Sequence, residues 1–218
     1  MARRVILQPR VYVFDLDNTL FDTRTIPRSV TDPLFDALRA ENSGEDAVPH
    51  DVLEWAFEDS WSIPFPQVAA KHGLPDRLLK RWSDLHQELQ FTFPLQPFDD
   101  VMDVLSSLTA YKVLLTSGYP RVQHGKIDAL GLRSYFDEIL IDAADDPDRK
   151  GKQAMIQKLM ADRAWQSDEL LIIGDSPTSE IAAGRNLGIT TVQILRPGVT
   201  PTDIADFQIQ TLHELIGI

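Results

Sequence analysis

Five short stretches of the chain, 11–14, 113–116, 138–141, 170–173 and 191–195, are apolar at nearly every position and rich in β-branched residues. A strand with one wet face alternates apolar and polar side chains. Near-continuous apolarity instead marks strands covered on both faces, as in a parallel sheet between two helical layers. Segments with helical spacing, 99–108, 122–130, 153–162 and 179–187, alternate with these runs. That order predicts an α/β fold with a doubly wound parallel sheet of Rossmann-like type.

Between 22 and 97 the pattern changes, and no strand is predicted. Helical pieces at 32–40, 50–60, 66–72 and 76–89 are separated by SGEDAVP, IPFP and HGLP, where Gly73 and Pro75 stop one helix and start the next. The α/β pattern breaks off after its first strand and resumes near Asp99. The predicted organisation is therefore a core of 1–21 and 98–218 carrying an all-helical insertion at 22–97. No internal repeat is present, and the one strongly polar stretch is DAADDPDRKGK, 142–152.

Composition narrows the partners. The 218 residues carry a net charge of -12, which opposes nucleic acid and anionic membrane, since phosphate-backbone binding depends on Lys and Arg. A phosphorylated substrate would need local compensation from a metal or a placed lysine. No run approaches the roughly 18 apolar residues of a membrane span. The opening MARRVILQPR is basic with a short apolar run, but Gln8, Pro9 and Arg10 interrupt it before a signal-peptide core develops. A cytoplasmic protein is expected. Without cysteine there is no disulfide or thiolate chemistry.

Candidate chemistry sits where the apolar runs end. In VYVFDLDNTLFDT, 11–23, Asp15 and Asp17 flank Leu16. Residues two apart in an extended chain face the same side, so both carboxylates are expected to converge beyond the carboxyl end of the first strand, where doubly wound sheets bind ligands. As plain turn residues they would need no ligand. As a converging pair they call for a divalent cation, and oxygen-only donors favour magnesium. VLLTSG ends at Thr116, Ser117 and Gly118, whose hydroxyl and backbone N–H groups suit a phosphoryl oxygen. LLIIGDS presents Asp175, and Glu180 follows where a helix start can aim it back. Lys150 and Lys152 both follow the third strand. Lys150 is the expected phosphate-neutralising cation, because Lys152 reads as a first-turn helix residue. Arg24 reads equally as a substrate-anion contact or a surface residue. Trp55, Phe57, Trp61, Phe65, Trp82, Phe91 and Phe93 supply aromatic surface to the insertion, most of it at core spacing. The five histidines show no metal-ligand spacing.

The series FDLDNT, LLTSG, RKGK and GDSPTSE resembles the four ordered motifs of the haloacid dehalogenase-like (HAD) hydrolases, and the helical insertion resembles their helical cap. The resemblance implies Asp15 as nucleophile, Asp17 as general acid and base, Thr116 as phosphate ligand and Lys150 as the neutralising lysine. It places magnesium on Asp15, Asp17, Asp175 and Glu180. Ser117 stands where many relatives have asparagine, and Glu180 where aspartate is usual, so that its longer arm is expected to reach the metal through water. Within the family a second aspartate in the first motif marks phosphoryl-transfer members over dehalogenases. The expected activity is magnesium-dependent hydrolysis of a small phosphorylated metabolite through an aspartyl-phosphate. A nucleoside monophosphate, a sugar phosphate and a glycolate-type phosphate all stay open. A sugar-phosphate mutase fits less well because Asn18 follows the second aspartate where such relatives carry glycine. A phospho-accepting signalling module lacks the large insertion.

Overall fold

A computed structural model describes residues 9–91 and 93–217; the interrupted apolar run at 1–8 lies outside them. Six parallel strands, β1 (Val11–Phe14), β2 (Tyr111–Gly118), β3 (Glu138–Ala143), β4 (Leu170–Gly174), β5 (Thr190–Ile194) and β6 (Phe207–Ile209), form one sheet in the order β3-β2-β1-β4-β5-β6. The chain steps outward from β1 to β3 and returns on the other side through β4. The crevice at which the strand order reverses therefore opens beyond the carboxyl ends of β1 and β4. β6 carries only three residues, too few for a periodic signal.

The near-continuous apolar runs are explained by two buried faces. Val11, Val13, Val113, Leu115, Leu170 and Ile172 pack with Ile156 and Leu159 of α7 (Gly151–Arg163) and Ala183 of α8 (Glu180–Asn186). The alternate residues Tyr12, Phe14, Leu114, Leu171 and Ile173 pack on the other side, with Val101, Val104 and Leu105 of α5 (Val101–Ser107) and Ile127 of α6 (Pro120–Ala129).

Between β1 and β2 lie four longer helices, α1 (Arg28–Glu41), α2 (His50–Asp59), α3 (Phe65–His72) and α4 (Asp76–Glu88). Each starts directly after a proline: Pro27, Pro49, Pro64 and Pro75. The ring fixes φ near the helical value and removes an N–H that would have no partner there. α1 starts four residues before the predicted 32, and Pro33 lies inside it. The helices share a core of Leu38, Leu53, Phe57, Phe65, Leu78 and Trp82, which extends onto Tyr119 and Val122 beside α6. Trp55 faces outward at 59% exposure and takes no part in it.

Where the chain re-enters the sheet layer, Asp100 forms a two-point ion pair with Arg196, at 2.7 and 2.9 Å, and accepts the Leu212 N–H at 2.7 Å. Both side chains are buried. Burial alone would push Asp100 up, but the guanidinium and that N–H hold its carboxyl below the usual range. Arg196 also donates to the Thr19 carbonyl at 3.1 Å and lies over the Phe98 ring. Removing one partner of a buried pair strands the other charge, so Asp100→Ala should cost about 3–5 kcal/mol in urea unfolding, with the apolar double replacement of Asp100 and Arg196 recovering most of it. A single-variant loss under about 1 kcal/mol would show that the pair is not structural.

Candidate active site

The Asp15 N–H donates to the Ile173 carbonyl at 2.9 Å, so the β1–β4 ladder positions this residue although the strand itself ends at Phe14. Asp15 keeps the parity of Val11 and Val13 and faces α7 and α8. There the buried Lys152 places its Nζ 2.5 Å from Asp15 Oδ1 and 2.8 Å from Glu180 Oε2. Lys150, the expected partner, is the residue before α7, exposed at the rim of the cleft. The helix starts at Gly151, with φ of 80°, and its first turn carries Lys152 inward. A first-turn lysine reads as solvated only while the direction of that turn is unknown.

Glu180 is buried and folded back along the end of β4, where its Oε1 accepts the Ser176 N–H at 2.7 Å. Gly174 makes room for it, since a Cβ there would stand 2.2 Å from Glu180 Cγ. The longer arm brings Glu180 into the acidic group: carboxylate oxygens of Asp15, Asp175 and Glu180 lie within 4.8 Å of one another. Thr19 adds a hydroxyl donor to Asp175 at 3.3 Å.

With all three ionised, the carboxylates against one ammonium would leave this group two negative charges in excess. Burial, only partly offset by Lys152, pushes Asp15 up to about 7, and repulsion from Glu180 and Asp17 adds to the rise. Asp175 is pushed up to about 8 by burial and then by Glu180 and Asp15. Burial alone would pull Lys152 down, but the Asp15 and Glu180 carboxylates hold it protonated, above its ordinary range. The donor set fits a magnesium-sized cation: all three donors are oxygens, opposed ligands of such an ion stand roughly 4.2 Å apart, and a double charge cancels the excess.

Asp17 departs from expectation, because its carboxylate is not in that acidic group. It turns to the opposite layer, where Lys126 of α6 reaches Oδ1 at 2.7 Å and Gln123 donates to Oδ2 at 3.0 Å. Alternation fails here because the chain leaves the extended form: Asn18 has φ of 55°, and Leu20 N–H closes a turn on the Leu16 carbonyl. Gln123 also donates to Thr116 Oγ1 at 2.5 Å, tying the first and second strand ends together. Gly118, with φ of 150°, leaves space for that side chain, since a Cβ would meet Gln123 Cδ at 3.0 Å. Gln123 and Lys126 were not singled out from the sequence. The available signal was two polar residues one turn apart on the helix face that Val122 and Ile127 mark as buried.

The remaining candidates divide. Thr116 and Gly118 line the cleft. Ser117 lines it too, but its hydroxyl is committed: it donates to Asp142 at 2.8 Å, and Arg149 binds the same carboxylate. Arg24 is exposed, pairs with Glu58 at 2.5 Å and is not among the described lining residues. Asn18 donates to the Trp61 carbonyl at 3.2 Å, joining the Asp15–Asp17 loop to the segment between α2 and α3.

The model of the haloacid dehalogenase-like hydrolase family matches residues 12–194. This chain belongs to that family. The human N-acylneuraminate-9-phosphatase is 23% identical, over 94% of this chain and 92% of its own. A HAD phosphatase from Thermococcus onnurineus superposes with a TM-score of 0.66 at 22% identity, covering 95% of this chain and 96% of that one. The HAD-hydrolase YfnB from Bacillus subtilis, bound to magnesium, superposes at 0.65 and 20% identity, covering 96% and 98%. At such identities the superpositions establish the fold.

In this HAD-like hydrolase both raised acids bind protons more tightly folded than unfolded. Between about pH 4 and pH 8 folding therefore takes up protons, and stability of the metal-free protein falls as pH rises. Chelated protein should melt lower at pH 8 than at pH 6, and magnesium should close that gap. Equal melting temperatures at both pH values, unmoved by magnesium, would remove the charged cluster as a metal centre. Gly174→Ala should displace Glu180 and weaken the magnesium-induced rise in melting temperature about tenfold in apparent affinity; an unchanged affinity would show that Glu180 is not a ligand.

Proposed function

We propose that this hydrolase is a magnesium-dependent phosphomonoesterase, with Asp15 as nucleophile and Asp17 as general acid and base. The observation that carries the reading is the separate keeping of these two carboxylates: one lies in the buried cluster against Lys152, the other is held apart against Lys126 and Gln123. Two acids two residues apart thereby have different surroundings, which nucleophile and proton carrier require.

Asp15, Asp175 and Glu180 would hold a divalent cation, which would supply charge compensation for the phosphate oxygens. Lys152 neutralises and orients Asp15 so that its carboxylate can attack an anionic phosphorus. Thr116, with the N–H groups of Ser117 and Gly118, holds a phosphoryl oxygen at the neighbouring strand end. The bond to the ester oxygen breaks, and Asp17 supplies the proton that the departing alkoxide needs. It then takes a proton from the water that cleaves the acyl phosphate on Asp15. A halide leaves without a proton, so an acid at Asp17 has work in ester hydrolysis that dehalogenation does not offer. The phosphatase function of the human relative supports the same reaction class.

A screen of phosphorylated metabolites with magnesium, scored by phosphate release, tests the reading; full turnover in excess chelator would overturn its metal dependence. Lys152→Ala should lower kcat by about 10³-fold or more while Lys150→Ala changes it less than about tenfold; the reverse order would return the role to Lys150. With an aryl phosphate, whose leaving group needs no acid, Asp17→Ala should release close to one equivalent of aryl alcohol per site and then turn over slowly, with phosphate on Asp15. Steady turnover at the wild-type rate would take Asp17 out of catalysis.

A further inference from the structure

The cleft above Asp15 encloses about 500 Å³, and its two ends differ in chemistry. The sheet end carries the carboxylates and the cations. The opposite end is built by residues 23–91 and, among the described lining residues, includes no Asp, Glu, Lys or Arg from that segment. Its wall is aromatic: Phe65 stacks on Trp82 at 4.0 Å, and Phe35 lies 6.2 Å from both Trp82 and Trp61. Among the described lining residues of that segment, His86 is the one titratable group. It donates Nδ1–H to the Trp82 carbonyl, stacks between Trp82 and Tyr119, and is pulled down to about 4 by burial, so it is neutral at pH 7. Three cations at the sheet end are engaged, Lys152 with Asp15, Lys126 with Asp17 and Arg149 with Asp142, while Lys150 stands exposed at the rim, away from the aromatic wall's own segment.

Building on the phosphomonoesterase reading, we infer that the leaving alcohol is an uncharged moiety bearing a flat ring system, as in a nucleoside 5′-monophosphate, and that esters with a second acidic group are rejected. A carboxylate placed against the aromatic wall would lose water and find no ammonium or guanidinium from the helices that close the cleft, which makes its burial costly. A planar ring gains contact with Phe35 and Trp61, the two partly exposed members of the wall. Thr31, Ser62 and Gln67 line the same end with neutral hydrogen-bonding groups, suited to ring carbonyls, amino groups or hydroxyls.

The test is kcat/KM, with magnesium, for uridine 5′-monophosphate, adenosine 5′-monophosphate, glucose 6-phosphate and 2-phosphoglycolate. At least one nucleotide should exceed 2-phosphoglycolate by about 100-fold and glucose 6-phosphate by about tenfold. Phe35→Leu and Trp61→Leu should each lower the ratio of nucleotide to glucose 6-phosphate about tenfold. A variant that merely folds poorly would lower both rates and leave the ratio unchanged. Preference for the glycolate or glucose ester, or a ratio untouched in both variants, overturns the inference while leaving a phosphatase. Release from none of the four esters, by protein that melts cooperatively and binds magnesium, removes the phosphatase reading and this inference with it.

Discussion

The structure depends on one buried ammonium. Three carboxylates at the strand ends would drive each other apart or bind protons if nothing stood among them, because charges so close and largely withdrawn from water are weakly screened. Lys152 sits between Asp15 and Glu180 and removes part of the excess. It leaves an excess of negative charge that one divalent cation would cancel. Each part of the fold around it serves this arrangement: β1 and β4 present the aspartates side by side, the first turn of α7 delivers the lysine, and Gly174 lets Glu180 fold back from the start of α8.

Once that charge is placed, the loop after β1 has to do something a plain strand cannot. It must direct Asp15 into the α7 and α8 layer and Asp17 into the α6 layer, within three residues. The left-handed Asn18 makes the change of direction possible, and Asn tolerates that conformation better than most residues. Arg196 holds the far side of the turn through the Thr19 carbonyl, while Asp100 holds Arg196. The buried pair beyond the end of β5 is thus a support for the Asp15–Asp17 loop as well as for the core. A loop that free to choose either layer would otherwise need few changes to lose its aim.

Much of the sheet was legible because burial on both faces writes itself into consecutive positions. Five of the six strands follow from such runs, whereas β6, three residues on the sheet edge, offers no run to read. The strand-end residues Asp15, Thr116 and Asp175 were legible for the same reason: polarity at the close of an apolar run is conspicuous. What escaped was direction. Choosing between Lys150 and Lys152 required knowing that α7 begins at Gly151 and which way its first turn winds. Placing Asp17 required knowing that the chain turns at Asn18, and its partners Lys126 and Gln123 lie more than a hundred residues away. Long-range pairing of this kind leaves no local trace.

The helices over the site extend the same logic to motion. Their core does not end at their own surface: it continues onto Tyr119 and Val122, and His86 stacks directly on Tyr119. Opening the cleft must therefore slide or separate apolar surface that is buried in this arrangement, and must break the bond from Asn18 to the Trp61 carbonyl. Both costs fall on segments that touch the reacting loop. A closure of this kind would do two things at once: it would seat the aromatic wall over the cleft and fix Asn18, the residue next to Asp17. An apolar ring seated against that wall would add contacts available only in the closed state. On the proposed reading its binding free energy would favour the geometry in which the two aspartates stand ready to act.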